Sequence, residues 1–320
     1  MLPKKPYPII AGPTASGKTA LAIALAKRWN GEVVSADSMQ VYDEVWIGTA
    51  RPTIEEMDGI PHHLMGFLPL DFKYSVAQYL TDAHRAFEDV YSRDTLPIMC
   101  GGTGLYIQSF MENITLFAEE PDPQRRQQYV RMAEEQGNVV LLDRLRKIDP
   151  DSAARLHVND RNRIIRALEV YDTTGMTITE QARRSHSEPS QYTPCLFVLD
   201  YRDRQALYDR INRRVSIMLE NGLLEEAKRI LATNPEATVT QAIGYKEFDA
   251  YFNNSLTLEE AADRLRQQTR RYAKRQLSWF RRMKEAHRLY VDDYPSAEAL
   301  ADAVSGLYQQ FLEGGAADGT

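Results

Sequence analysis

The sequence predicts an α/β protein, in which a parallel sheet is flanked by helices and carries an inserted, all-helical segment. Two observations predict the sheet. Short apolar runs typical of buried strands alternate with segments of helical spacing, and a glycine-rich loop follows the first run. A third observation predicts the insertion, because residues 113–191 are rich in Arg, Gln, Glu and Asp and show no convincing strand pattern.

The strand candidates are 7–11, 32–37, 62–67, 96–100, 195–200 and 288–292. Segments of helical spacing are 20–26, 75–91, 103–111, 124–136, 139–147, 151–157, 160–171, 204–221, 223–232 and 258–285. In parallel sheets of this kind, ligands bind at the edge formed by the carboxyl ends of the strands. We therefore look for functional residues directly after the strand candidates.

Length and composition indicate two domains, since the chain has 320 residues and 43% of them are hydrophobic. We assign 1–112 and 192–320 to the sheet-bearing core, with a disordered tail at 310–320, and 113–191 to the helical insertion. The two cysteines lie far apart outside any CxxC pattern, so neither disulfide nor zinc is expected. No apolar run approaches the roughly 20 residues of a membrane span, so we expect a cytoplasmic protein without a membrane partner. We also expect a monomer.

The glycine-rich loop has the spacing GxxxxGKT of a P-loop and stands between a strand and a helix. Its residues are Gly12, Pro13, Thr14, Ala15, Ser16, Gly17, Lys18 and Thr19. Such a loop turns backbone N–H groups toward an anion at the positive end of the helix. Lys18 would reach a terminal phosphate and the Thr19 hydroxyl would ligate Mg²⁺. The alternative is a chance match in a helix-capping turn, and the loop by itself identifies a phosphorylated ligand rather than a reaction.

A second signal lies in the last long helical segment, where nine basic residues and no acidic residue occur between Arg264 and Lys284. At about 100° per residue, the members of one line are Arg264, Arg271, Arg275 and Arg282, and those of an apolar stripe are Leu265, Tyr272, Trp279 and Met283. Solvated helix faces usually mix both signs of charge. In a chain of net charge −6, this uncompensated face favours a nucleic-acid partner over the alternative, a membrane surface.

Seven blocks of the sequence, in order from about Pro8 to Asp292, resemble the bacterial tRNA dimethylallyltransferase family, also called tRNA isopentenyltransferases. They are GPTASGKT, the segments 35–42, 47–52 and 101–106, and the segments 159–169, 241–245 and 272–276. The resemblance implies a P-loop NTPase-like core with an inserted tRNA-binding domain. It implies transfer of a dimethylallyl group from dimethylallyl diphosphate to N6 of adenine 37, beside the anticodon of tRNA, with Mg²⁺ as cofactor.

The resemblance also implies catalytic roles. Asp37 matches the family's general base, which accepts a proton from the adenine amine, and Arg214 joins Lys18 and Thr19-bound Mg²⁺ in neutralising the departing diphosphate. Alternatives remain for two of these residues. A carboxylate in the position of Asp37 often holds Mg²⁺ through water in NTPases, and Arg214 could belong to a solvated helix face.

The implied tRNA contacts fall into three groups: residues beside the acceptor base, residues of the insertion, and residues of the basic helix. Those beside the flipped-out acceptor base are Asp37, Ser38, Met39 and Gln40, with Gln40 reading an adenine edge and Thr103 at the mouth of the channel. Those of the anticodon stem-loop are Arg126, Arg161, Asn162, Arg163, Ile164, Ile165 and Arg166 in the insertion, and Arg271 and Arg275 on the basic helix. Alternatively, Arg163 or Arg166 pairs with Asp160 or Glu169 in a structural network.

Three other functions remain open at this stage. A small-molecule kinase would use the same P-loop and Mg²⁺, but would leave the basic helix without a role. A non-catalytic RNA-binding switch would need no base at Asp37. Prenylation of free AMP or ATP would need no RNA-sized basic surface.

Overall fold

The structure, a computed structural model, describes residues 4–114, 122–185, 190–233 and 238–317. It confirms the predicted fold class: six parallel strands form one sheet in the order β3-β2-β4-β1-β5-β6, and helices flank it. The strands are β1 (Lys5–Ala11), β2 (Gly31–Ser35), β3 (His62–His63), β4 (Leu96–Gly101), β5 (Tyr192–Asp200) and β6 (His287–Tyr290). All six strand candidates are present, although the third is only two residues long.

The helices fall into three stretches of the chain. Before the insertion they are α1 (Lys18–Trp29), α2 (Ile54–Met57), α3 (Val76–Ser92) and α4 (Gly104–Met111). In the insertion they are α5 (Pro123–Gln136), α6 (Asn138–Ile148), α7 (Pro150–Arg155), α8 (Arg161–Thr174) and α9 (Ile178–Ser185). After it they are α10 (Arg204–Glu220), α11 (Leu223–Leu231), α12 (Asp249–Phe252), α13 (Leu258–Phe280) and α14 (Ala297–Ala317).

The chain divides into two compact units. One comprises Met1–Met111 and Gln191–Thr320 and contains the sheet, and the other comprises Glu112–Ser190 and contains α5–α9. The second unit has its own apolar core, in which Leu141, Leu145, Ile164 and Leu168 are fully buried. In the part of the chain that the structure describes, no helix is both long enough and apolar enough to cross a membrane.

The C-terminal segment corrects one expectation. A disordered tail was predicted from residue 310, but α14 runs to Ala317. Its inner face packs on the sheet-bearing core through Leu300, Val304 and Tyr308, and the Tyr308 ring lies 4.8 Å from that of Trp29 on α1. Burial of this face stabilises the helix despite its glycines. Helix α13 also differs from expectation, because it ends at Phe280 rather than near residue 285.

The sheet places three loops at one edge. Strands β1, β4 and β2 are neighbours, so the segments that follow them lie side by side. After β1 comes the P-loop, after β2 comes the segment 36–40, and after β4 come Gly102 and Thr103. The candidate functional site is built from these three loops and from α10 and α13.

Candidate functional site

The P-loop has the backbone geometry of an anion site. Gly17 precedes α1 as its N-cap with a φ of 89°, a left-handed conformation that favours glycine. Because α1 begins at Lys18, the unpaired N–H groups of its first turn lie at the loop. The positive end of the helix dipole therefore coincides with a cluster of N–H donors.

Side chains of the loop are largely turned inward. The Lys18 ammonium donates a hydrogen bond to the Pro13 carbonyl oxygen over 3.3 Å. The Ser16 hydroxyl is buried and has no hydrogen-bond partner among the described residues. On α10, Arg210 Nε donates to the Ala15 carbonyl oxygen over 2.9 Å, which ties that helix to the loop. The loop therefore contains a buried hydroxyl that a ligand oxygen could satisfy.

Three charged residues interact at this site. Burial lowers the pKa of Lys18, and the charge of Arg214 lowers it further, while Asp37 opposes both effects. Burial likewise lowers the pKa of Arg214, again opposed by the Asp37 carboxylate. A lowered pKa means that the protonated form of each cation is disfavoured in the ligand-free protein. An anionic ligand would favour the protonated form of both side chains.

The segment after β2 is held by the loop after β4. Asp37 Oδ1 accepts the N–H of Met39 over 3.0 Å, and the N–H of Ser38 donates to Thr103 Oγ1 over 3.0 Å. The Thr103 N–H in turn donates to the Ala36 carbonyl oxygen over 3.0 Å. Asp37, Ser38 and Met39 are all partly exposed. The structure thus brings Asp37, Ser38 and Thr103 together beside the P-loop.

Gln40 requires a correction. Its side chain is buried, and Nε2 donates to the carbonyl oxygens of Thr49 over 3.2 Å and Ala50 over 3.4 Å. Both amide hydrogens are therefore used inside the protein. The sequence led us to expect that Gln40 contacts an adenine edge. In the structure its amide instead supports the loop at 49–50.

Sequence reasoning missed Gln276 and Tyr272 on α13. Gln276 is buried, and its Oε1 accepts the N–H of Thr14 in the P-loop over 2.9 Å. Tyr272, one turn earlier, lies near Thr103 and Gln276, and its pKa is raised mainly by burial and next by the nearby Asp37 carboxylate. Tyr272 had been assigned to an apolar stripe. The helical spacing places Gln276 on the buried face of α13, and a buried glutamine needs hydrogen-bond partners. This was the signal that could have identified it.

The basic face of α13 is partly as predicted. Arg271, Lys274 and Arg275 are exposed, and none of them forms a salt bridge with the carboxylates of the described residues. Arg266, by contrast, pairs with Glu259 and Asp263 over 2.8 and 2.7 Å, and Arg270 donates to Asn212. The three exposed cations are available to an external anion, whereas Arg266 and Arg270 stabilise the fold.

Comparison with known proteins identifies the family. A family model described as IPP transferase matches residues 40–283, and one described as isopentenyl transferase matches residues 7–69. A tRNA dimethylallyltransferase of Caldanaerobacter subterraneus subsp. tengcongensis is 44% identical over 299 residues, which cover 92% of this chain and 95% of the relative. The chain belongs to the tRNA dimethylallyltransferase family.

Solved structures agree with this assignment. The full-length tRNA isopentenylpyrophosphate transferase of Bacillus halodurans is similar with a TM-score of 0.70 and 39% identity, covering 97% of this chain and 99% of that one. A eukaryotic dimethylallyltransferase acting on tRNA is similar with a TM-score of 0.79 and 30% identity, covering 97% of this chain and 80% of that one. The resemblance stated from the seven sequence blocks is therefore confirmed.

In the inserted helices of this transferase, two of the expected RNA-binding arginines take part in internal contacts. Arg126 donates to Glu169 over 3.0 Å, and burial raises the pKa of that carboxyl, opposed by Arg126 and Arg166. Arg161 donates to the Val130 carbonyl oxygen and to Glu134, each over 3.0 Å. A structural network therefore exists here, although its members are mainly Arg126 and Arg161 rather than Arg163.

The segment 161–166 separates into two faces. Ile164 and Ile165 are fully buried in the core of the insertion, so their assignment as RNA contacts is corrected: the periodicity of α8 turns them away from solvent. Asn162, Arg163 and Arg166 are exposed. Within this segment of the transferase, these three side chains are the most accessible to solvent or to an RNA, and Arg161 is partly exposed.

Proposed function

We propose that this chain transfers a dimethylallyl group from dimethylallyl diphosphate to N6 of adenine 37, next to the anticodon of tRNA, and releases diphosphate. The observation that carries the proposal is the P-loop at the start of α1, where the cations of Lys18 and Arg214 lie near the Asp37 carboxylate. Family membership supplies the reaction, and the local chemistry supports an anionic leaving group beside a proton acceptor.

The P-loop would bind the diphosphate and stabilise its departure. As the carbon–oxygen bond breaks, negative charge grows on the diphosphate oxygens, and Lys18, Arg214 and the N–H groups of the first turn of α1 neutralise it. The N–H groups are held by the end of a folded helix, so they need little reorganisation during the reaction. The buried Ser16 hydroxyl would donate to one of the same oxygens.

The residues present fit Mg²⁺ as a companion of the diphosphate. No group of three or more His, Cys, Asp or Glu side chains in the described ranges could hold a metal without substrate. Mg²⁺ commonly uses one or two protein ligands together with waters and substrate phosphates. Thr19, in the first turn of α1, would supply a hydroxyl ligand. When bound, the ion would neutralise charge on the leaving group.

Asp37 would act as the general base. The adenine amine is weakly basic, so its proton must be accepted as the new carbon–nitrogen bond forms. Met39 fixes one carboxylate oxygen of Asp37 through its N–H, and Ser38 and Thr103 hold the segment that carries it. We favour the base over a water-mediated Mg²⁺ ligand because Asp37 matches the general base of the family to which the chain belongs.

The tRNA would bind along exposed basic and polar side chains. Arg271, Lys274 and Arg275 on α13 and, in the insertion, Asn162, Arg163 and Arg166 would contact phosphates, and adenine 37 would be flipped out toward Asp37. Ser38, Met39 and Thr103 would line its path. A tRNA substrate implies action in the cytoplasm, and the monomer expected from the sequence stays a prediction.

One experiment separates this function from its alternatives. Labelled dimethylallyl diphosphate and Mg²⁺ are incubated with an anticodon stem-loop carrying adenines at positions 36–38, and parallel samples contain ATP as donor or AMP as acceptor. We expect label in the RNA alone. Phosphoryl transfer from ATP to a small molecule would indicate a kinase, label in AMP would indicate a free-nucleotide prenyltransferase, and RNA binding without transfer would indicate a switch.

A further inference from the structure

Gln276 connects the basic helix to the P-loop through a pair of hydrogen bonds. Its Oε1 accepts the Thr14 N–H over 2.9 Å, and its Nε2 donates to the Gly102 carbonyl oxygen over 3.0 Å. The side chain is 5% exposed, and its bond to Gly102 is buried, whereas its bond to Thr14 is partly buried. One side chain therefore spans the loop after β1 and the loop after β4.

A buried amide at this position is costly unless both of its polar ends are satisfied. The neighbouring buried positions of α13 are Ala273, Leu277 and Phe280, which need no such partners. Packing alone would be served by an apolar residue at position 276. The two hydrogen bonds are therefore the property that distinguishes glutamine here.

Gly102 is adapted to the same contact. A Cβ atom on Gly102 would lie 2.2 Å from Gln276 Nε2, closer than any tolerated contact. The absence of a side chain at 102 thus allows the amide to reach the carbonyl oxygen. The glutamine at 276 and the glycine at 102 are therefore both needed for this hydrogen bond beside the P-loop.

The bond to Thr14 has a consequence for ligand binding. It engages the Thr14 N–H, which is then not a donor to the anion, and it fixes the orientation of the Pro13–Thr14 peptide, one residue before Ala15. Ala15 has a φ of 63°, an unfavourable conformation for a residue with a side chain. Such a conformation persists only where neighbouring contacts hold it.

We propose that Gln276 is a positioning residue for the diphosphate, which holds the P-loop in the conformation whose remaining N–H groups bind the anion. The inference rests on the proposed function for its substrate, but inorganic pyrophosphate tests it separately. Adjacent residues of α13 then have different tasks: Arg275 faces outward, and Gln276 faces the loop.

The test uses Gln276→Met, Gly102→Ala and the double variant, with Gln309→Met on α14 as an exposed control. The Kd of inorganic pyrophosphate with Mg²⁺, the KM of dimethylallyl diphosphate, kcat, the Kd of the stem-loop and the melting temperature are measured for each. We expect each single variant to raise the pyrophosphate Kd and the KM by about 5- to 20-fold, with kcat less affected. The stem-loop Kd should stay within about twofold of wild type.

The double variant distinguishes a shared contact from two independent defects. If both substitutions act through the Gln276–Gly102 pair, their combined effect will be smaller than the product of the single effects. Unchanged pyrophosphate affinity in Gln276→Met would overturn the proposal. So would a parallel loss of stem-loop affinity and melting temperature, which would make Gln276 a core residue only. A wild-type protein that binds pyrophosphate but transfers no prenyl group would refute the function and leave this inference intact.

Discussion

The Tyr245 hydroxyl donates a hydrogen bond to Glu226 Oε1 over 2.9 Å, and both residues are buried. The same carboxylate accepts the N–H groups of Trp46 and Ile47 over 3.0 Å and of Gly48 over 2.8 Å. Two blocks of the sequence resemblance, 47–52 and 241–245, therefore meet at one acidic side chain that neither block contains. Glu226 holds the loop whose carbonyl oxygens engage Gln40.

Glu226→Gln should destabilise the protein. The substituted amide has only one accepting oxygen, and its NH₂ group would face backbone donors, leaving buried N–H groups without acceptors. Each such group costs about 1–3 kcal/mol, so we expect a loss of about 2–4 kcal/mol in the free energy of unfolding. Urea denaturation measures it. Glu225→Gln, an exposed neighbour on α11, is the control, and equal stability of the two variants would contradict this role.

Much of the fold was predictable from the sequence because buried parallel strands appear as apolar runs, and the P-loop has a fixed spacing. The parts that were not predictable depend on contacts distant in sequence. The spacing of α13 indicated a buried face but not that Gln276 on it would bond to residues 174 and 262 positions away. The C-terminal helix was missed because its stability comes from packing on α1 rather than from propensity.

The candidate site was predictable to a similar extent. The sequence placed Lys18 after the first strand and Asp37 after the second, and the sheet, in which β4 lies between these two strands, brings both residues to one edge. Burial was the source of error elsewhere. Gln40 follows three partly exposed residues, and Ile164 and Ile165 lie between exposed arginines, but these three side chains are buried.

Acid should destabilise the protein through Glu32. This carboxylate on β2 accepts hydrogen bonds from Arg93 and from His63 Nε2, the latter over 2.6 Å, and its pKa is lowered from 4.5 to about 2, chiefly by Arg93. Because the folded pKa lies below the unfolded value, this stabilisation is present above about pH 4.5 and is lost as the pH falls toward 2.

The variant Glu32→Gln tests this assignment. At pH 7 it should reduce the free energy of unfolding by about 1.5–3 kcal/mol, since it removes hydrogen bonds to a charged group, and the difference from wild type should shrink toward pH 2. Glu298→Gln, which breaks the exposed pair with Arg28, should change stability little. If the difference in free energy of unfolding between Glu32→Gln and wild type stays constant from pH 7 to pH 2, Glu32 does not contribute to the destabilisation by acid.

Lys18→Met should separate stability from function. Removing a cation whose charged form is disfavoured by burial should leave the ligand-free protein as stable as wild type or more so. Turnover should fall by about 10²–10³, because a leaving-group cation is lost. Melting curves and steady-state kinetics measure the two effects, with Lys27→Met on the same helix as control. Normal turnover would exclude Lys18 from the reaction.

Arg275→Glu should weaken RNA binding without affecting the prenyl diphosphate. Loss of one phosphate contact reduces the slope of log affinity against log salt concentration by about 1. Titration of the stem-loop at several salt concentrations measures this, and the Kd of dimethylallyl diphosphate serves as the internal comparison. Arg85→Glu, the same charge change on α3, is the matched control. An unchanged salt slope would place Arg275 outside the RNA-binding surface.

The most direct test of the account is the single-turnover rate of Asp37→Asn with saturating stem-loop and dimethylallyl diphosphate, compared with Asp43→Asn as an exposed control. If Asp37 accepts the proton of the adenine amine, the rate will fall by about 10²–10⁴ while the Kd of dimethylallyl diphosphate with Mg²⁺ stays within about twofold of wild type. A wild-type rate, or a loss of rate fully explained by weaker binding of the diphosphate and Mg²⁺, would contradict that role.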